Sequence, residues 1–152
     1  MDKRLEAFLD LSVVLTGFDH LQLMGTGVAP EYLETLDRVV SSGISDALLE
    51  ASAGISSEED LHAALSARIL DDPVLGPLAR NVIVLWYSGT WSPLPQEWWG
   101  DTPRSSHDVG HTVSAAAYLA GLQWPVASAH PPGGLPPGFA SWASPPPVGE
   151  EI

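Results

Sequence analysis

Ser106-His107-Asp108-Val109-Gly110-His111 is the stretch of this chain whose side chains could do chemistry. His107 and His111 stand at i and i+4, so on a helix they would face one way. Asp108 would then sit where helix-borne zinc hydrolases keep a glutamate base. Ser106, His107 and Asp108 are also the residue types of a nucleophilic triad. The surroundings argue against both readings. Pro103 and Ser105-Ser106 precede the segment and Gly110 interrupts it, which disfavours helix. An aspartate is one methylene shorter than the expected base. A triad is defined by spatial arrangement rather than adjacency. His130 is a third metal ligand only on paper. The sequence therefore reads as solvent-exposed histidines, with no catalytic, cofactor-binding or metal-ligating residue assigned. A metal-dependent hydrolase using His107 and His111 stands as the alternative, beside a stand-alone helical interaction module.

Other polar groupings have simpler explanations. Glu58, Glu59 and Asp60 follow Ser57 and read as the acidic first turn of a helix capped by Ser57. Gly25-Thr26-Gly27 lacks the strand, the spacing and the GK[ST] ending of a phosphate loop. His20 stands alone beside a helix end. There is no cysteine, which removes disulfides, thiolate metal sites and thiol nucleophiles together.

The elements that must position these residues are mainly helical in pattern. Leu5, Phe8, Leu9, Leu11 and Leu15 follow a helical period that ends near Gly17. Pro30 occupies a first-turn position before Tyr32, Leu33, Leu36, Val39 and Val40. Gly43 breaks or bends that helix ahead of Ile44, Leu48 and Leu49. Leu61, Ala64, Leu65, Ile69 and Leu70 form the next stripe, stopped by Asp71-Asp72-Pro73. Val82 to Tyr87 is apolar all round, which marks a central helix. Ser114 to Gln123 predicts a short helix ended by Pro125. The fold class expected is mainly α: a helical body over 1–92, then an aromatic loop, a short helix and a long Pro/Gly-rich irregular arm over 93–152, in one domain overall.

The charge of the 152-residue chain is −13, from 19 acidic and 6 scattered basic residues. That balance argues against binding nucleic acid or anionic membrane, which need clustered Lys and Arg. No apolar run reaches the roughly 20 residues of a membrane span. Acids interrupt the N-terminal apolar stretch, so it does not read as a secretory signal, and no twin-arginine pair precedes it.

The arm carries the most information. From Val109 to Gly149 there is no Asp, Glu, Lys or Arg, and eight prolines fall between Pro125 and Pro147. Proline fixes φ and lacks a donor, so extended or polyproline-II backbone is expected. A flexible linker would be polar, yet this segment holds Leu122, Trp124, Val126, Leu135, Phe139 and Trp142. Leaving a large aromatic exposed forgoes about 1.5–3 kcal/mol, so the side chains are expected to be sheltered. The shelter is either the chain's own small body or another subunit, with real disorder of the arm as the third reading, and the proline-stiffened segment favours another subunit. A second aromatic cluster, with Trp86, Tyr87, Trp91, Trp98 and Trp99, precedes the arm. Core packing explains Trp86. Trp98 and Trp99, adjacent in a loop, do not easily share one core, so at least one is expected to face a partner. A carbohydrate-stacking platform is the sharper alternative.

These stretches together resemble a known family. FLDLSVVLTGF, then a Tyr-Leu helix, then LWYSGTW, then Tyr118, Gly121-Leu122, Trp124, Ala129-His130-Pro131, Pro137-Gly138-Phe139, Trp142 and Pro145-Pro146 are similar to the small subunit of bacterial membrane-associated, FAD-dependent sorbitol and fructose dehydrogenases. The resemblance covers nearly the whole chain. It implies a mainly helical, non-catalytic small subunit that binds, stabilises and helps mature a large subunit of the glucose–methanol–choline oxidoreductase type. FAD belongs to that large subunit, with none in this chain, and a cytochrome c subunit is a further partner in some such complexes. It implies a periplasmic position peripheral to the inner membrane, although the export signal typical of the family is not seen here; a cytoplasmic location is the alternative. The residues expected to meet the partner are Trp91, Trp98, Trp99 and Tyr118, together with Trp124, His130, Pro131, Phe139 and Trp142 of the arm.

Overall fold

The structure, a computed structural model, describes residues 2–131. It is mainly helical. Helix α1 spans Lys3–Thr16; the Asp2 carboxylate accepts from the Arg4 amide at its start, and Gly17 ends it in the left-handed conformation at φ 77°. Such an ending suits glycine, which lacks the Cβ that would clash there. Helix α2, His20–Gly25, opens with a reciprocal cap between Asp19 and Gln22. Helix α3, Ala29–Val39, carries Pro30 in its first turn, and α4 covers Ser42–Ser52. The chain leaves helix at Val40 and Ser41, so Gly43 lies inside the first turn of α4 rather than at the break.

One cap differs from expectation. Ser57 closes a short 3-10 turn over Ile55–Ser57, and Asp60 is the N-cap of helix α5, Leu61–Leu65, accepting from the Ala63 amide. Ser and Asp are comparable caps; the turn ending at Ser57 decided between them. α5 widens into a π turn over Ser66–Leu70 before the Asp-Asp-Pro stop.

Helix α6, Leu75–Ser88, is the central element expected from its apolar sequence. It packs against α1, α4 and the C-terminal helices and buries Leu78, Ala79, Val82, Leu85 and Trp86. Phe8 stacks on Trp86 and Tyr32 meets it edge-on, so α1, α3 and α6 share one aromatic centre. After Gly89 the chain reverses through β1, Thr90–Trp91, which pairs antiparallel with β2, His111–Thr112. Between them lies α7, the single turn Gln96–Trp99. Helices α8, Ala115–Ala120, and α9, Gln123–Val126, follow. The expected single helix from Ser114 is thus split at Gly121, and Pro125 does not end a helix but sits in the first turn of α9, where its missing amide hydrogen is not needed. The core runs without a break from Phe8 to Trp91, Trp99, Ala117 and Leu122.

Candidate functional site

The segment between β1 and β2 is organised around one carboxylate. Asp108 is 1% exposed. Its oxygens accept from Trp91 Nε1 at 2.9 Å, Trp99 Nε1 at 2.9 Å, the Leu94 amide at 3.0 Å and Arg104 Nη1 at 2.6 Å. Arg104 also reaches the Leu94 carbonyl and Gln96 Oε1, so it laces α7 to the loop. A buried carboxylate is tolerated only when its lone pairs are filled and its charge is paired; here two indoles, an amide and a guanidinium do both. Buried tryptophan usually finds an acceptor for its N–H, and β1, α7 and the loop bring two indoles to the same carboxylate.

Among the described residues, Ser106, His107, Asp108 and His111 are not brought into the arrangement that either hydrolytic reading requires. Asp108 turns inward to the indoles. His107 and His111 are exposed on the outer side, His107 in a turn and His111 on β2 rather than on a shared helical face. The ring of His111 is held by its own strand: Nδ1 lies 2.7 Å from the Val109 carbonyl. A carbonyl only accepts, so Nδ1 carries the hydrogen and Nε2 is left outward. Among the described residues no group of three or more His, Asp or Glu side chains could hold a metal ion.

The second constellation is the root of the arm. Gly89 and Gly121 mark close backbone approaches. A Cβ on Gly89 would lie 2.5 Å from the Ala117 carbonyl oxygen, and one on Gly121 would lie 2.8 Å from that of Tyr87. The Leu122 amide donates to the Trp86 carbonyl at 2.9 Å, and the Val113 amide to that of Gly89 at 2.9 Å. LWYSGTW and the Tyr118-to-Trp124 stretch, far apart in sequence, are therefore two sides of one seam at the C-terminal end of α6. Trp124 closes the seam by donating from Nε1 to the Tyr118 carbonyl at 2.8 Å, its ring edge-on to that of Tyr118.

The structure distributes the residues expected to meet a partner over three settings. Trp91 and Trp99 are buried in the chain's own core, with both indole N–H groups on Asp108. Trp98 is half-buried, edge-on to Trp99, with its N–H on the Val74 carbonyl. Trp98 and Trp99 thus share one packing unit, with Trp98 on its outer side. Both line an apolar cleft of about 240 Å³ with Val40, Ile44 and Val74. Tyr118 and Trp124 are half-buried at the seam; Leu119 and Val126 beside them are exposed; His130 is exposed and Pro131 is buried. Phe139 and Trp142 lie outside the described residues. Sequence reasoning missed the Asp108 knot. The signal was partial: the segment carries three tryptophans, an arginine and two aspartates, Asp101 and Asp108, and only the fold selects Asp108.

No family model, curated protein or solved structure matches the chain. Among the described residues no helix is long and apolar enough to cross a membrane.

Proposed function

We propose that the chain is a non-catalytic accessory subunit of an FAD-dependent sugar or polyol dehydrogenase, binding and stabilising a flavin-bearing large subunit through its C-terminal arm. The observation that carries the reading is the arm's built root. A seam of matched glycines and a Trp–Tyr pair holds the stretch up to Trp124, and Pro131, the last described residue, is buried, so the uncharged, aromatic-bearing sequence that follows begins at an anchored residue. Exposed Leu119 and Val126 extend apolar surface beside that point. LWYSGTW and the stretch from Tyr118 to Trp124 are among the sequences that resemble the dehydrogenase small subunits. In this reading the partner supplies the chemistry, and Asp108, the acid beside His107, serves the chain's own packing through its bonds to two indoles. A cytochrome c subunit and a periplasmic position belong to this reading. Binding only the folded large subunit would stabilise it by mass action.

The test is co-expression of a sugar-dehydrogenase flavoprotein with either the full chain or a chain ending at Pro131. That end keeps Trp124 and the seam intact. The full chain is expected to co-elute with the flavoprotein and raise its flavin content; the shortened chain is expected to do neither. Equal co-elution of both, or of neither, sinks the proposal.

A further inference from the structure

We infer that the cleft between α3 and the Ser106–His111 loop binds a compact tetrahedral oxyanion of the phosphate type. Thr35 and Arg38 of α3 face Ser106, His107 and His111 across a space of about 210 Å³. No carboxylate lines it. On a chain of charge −13 that is a selective arrangement, and the neighbouring cleft between α1 and α3 shows the contrast: there Asp2, Glu34 and Asp37 stand among the arginines. The acid nearest in sequence to the histidines, Asp108, is withdrawn into the indole knot and paired with Arg104.

The donors suit such a ligand. Arg38 uses one nitrogen on Glu34; a guanidinium has five N–H groups in a fork that matches oxyanion geometry. His111 is oriented by its Nδ1–H bond to Val109, so Nε2 is the nitrogen left for a ligand. A doubly protonated imidazole donates from both nitrogens. Ser106 supplies a hydroxyl. The space is smaller than the roughly 300 Å³ at which pockets for drug-sized ligands begin, so it takes a single anionic group rather than a whole nucleotide. The inference is independent of the accessory-subunit reading, because the cleft is built from described residues of this chain alone.

The experiment is a titration of the full, isotopically labelled chain with inorganic phosphate in mildly acidic buffer, at ionic strength held constant with chloride, following the imidazole ring signals by NMR. Saturable shifts are expected at His107 and His111, with His20 and His62 unmoved. Arg38→Gln should weaken binding about tenfold, the worth of one charge-assisted hydrogen bond. His107→Gln and His111→Gln should each weaken it several-fold, and His62→Gln should change nothing. All four side chains are exposed, so these variants are expected to keep the fold. Non-saturating shifts, equal shifts at every histidine, or unchanged affinity in Arg38→Gln would overturn the site. Acetate binding as tightly as phosphate would overturn the tetrahedral assignment.

Discussion

Two charged knots hold this chain together, and they are opposites. Near the N-terminus a cation is wrapped by acids: Arg4 of α1 makes a two-pronged bond to Asp37 of α3, at 2.8 and 3.0 Å, and reaches Asp46 and Ser45 of α4. In the aromatic loop an anion is wrapped by donors: Asp108 with two indoles, an amide and Arg104. The difference is water. Arg4 and Asp37 keep side-chain exposures of 38% and 28%, whereas the Asp108 side chain has none. Solvent can replace a partner lost from the first knot. It cannot reach the second, where the two indole N–H groups and the Leu94 amide would be left buried and unpaired, although Arg104 would keep the Leu94 carbonyl and Gln96. Similar pairing thus gives a modest clasp in the helical body and a keystone in the loop.

That contrast can be broken most sharply at Asp108. Asp108→Ala should destabilise the chain by about 3–5 kcal/mol, the usual consequence of removing one partner from a buried charged network, read by urea unfolding. Asp108→Asn, which keeps one accepting oxygen, should lose less. A loss below about 1 kcal/mol for the alanine variant would mean that the knot is ornamental.

The seam between α6 and α8 comes next. Gly121→Ala should cost about 1–3 kcal/mol from overpacking against the Tyr87 carbonyl. Gly89→Ala should do the same with added strain from its φ of 69°. Gly25→Ala, with nothing within 4 Å, should be neutral or slightly stabilising, since alanine favours helix. Equal thermal shifts at all three positions would remove the argument for close approach.

The open knot should respond weakly, and with pH. Arg4→Met should cost about 1 kcal/mol, because exposed pairs are screened. The hydrogen bonds from Arg4 hold the Asp37 carboxyl below its ordinary value of 3.8, against the opposing effect of burial. A carboxylate lowered in the folded state stabilises fully above its unfolded value, and loses that contribution as pH falls through the folded one. The stability gap between the native chain and Asp37→Asn should therefore be present at pH 6 and close at progressively more acid pH below about 4. A gap independent of pH, measured by denaturation across that window, would show that Asp37 acts by packing alone.

The smallest effect is expected in the core. Among the described residues Tyr32 Oη and Trp86 Nε1 are buried without a hydrogen-bond partner. Tyr32→Phe removes a hydroxyl that bonds to nothing, so its stability should stay within about 0.5 kcal/mol of the native chain or rise. A loss above about 1 kcal/mol would reveal a bonded hydroxyl.

Much of the helical body is legible in the sequence, because its signals are local. Gly17, Pro30, Asp71-Asp72-Pro73 and the apolar run of α6 act through backbone sterics and helical period within one or two turns. The errors arose where two local signals competed, as Ser57 and Asp60 did for one cap. They arose too where a distant contact intervened, as the Tyr87 carbonyl does beside Gly121. The site was less legible. Asp108 next to His107 reads as catalytic or metal-ligating until the folded chain turns it towards Trp91 and Trp99.

The sequence by itself determined a mainly helical, acidic chain without thiol chemistry, whose uncharged C-terminal stretch is rich in proline and aromatics. These are properties of residue type and short-range order. Tertiary structure alone decided that Asp108 belongs to the core, that Arg38 faces His107 and His111, and that LWYSGTW meets the Tyr118-to-Trp124 turn. The physical reason is that a charge can be buried only where donors from separate elements converge, and no local pattern records which distant residues will arrive there.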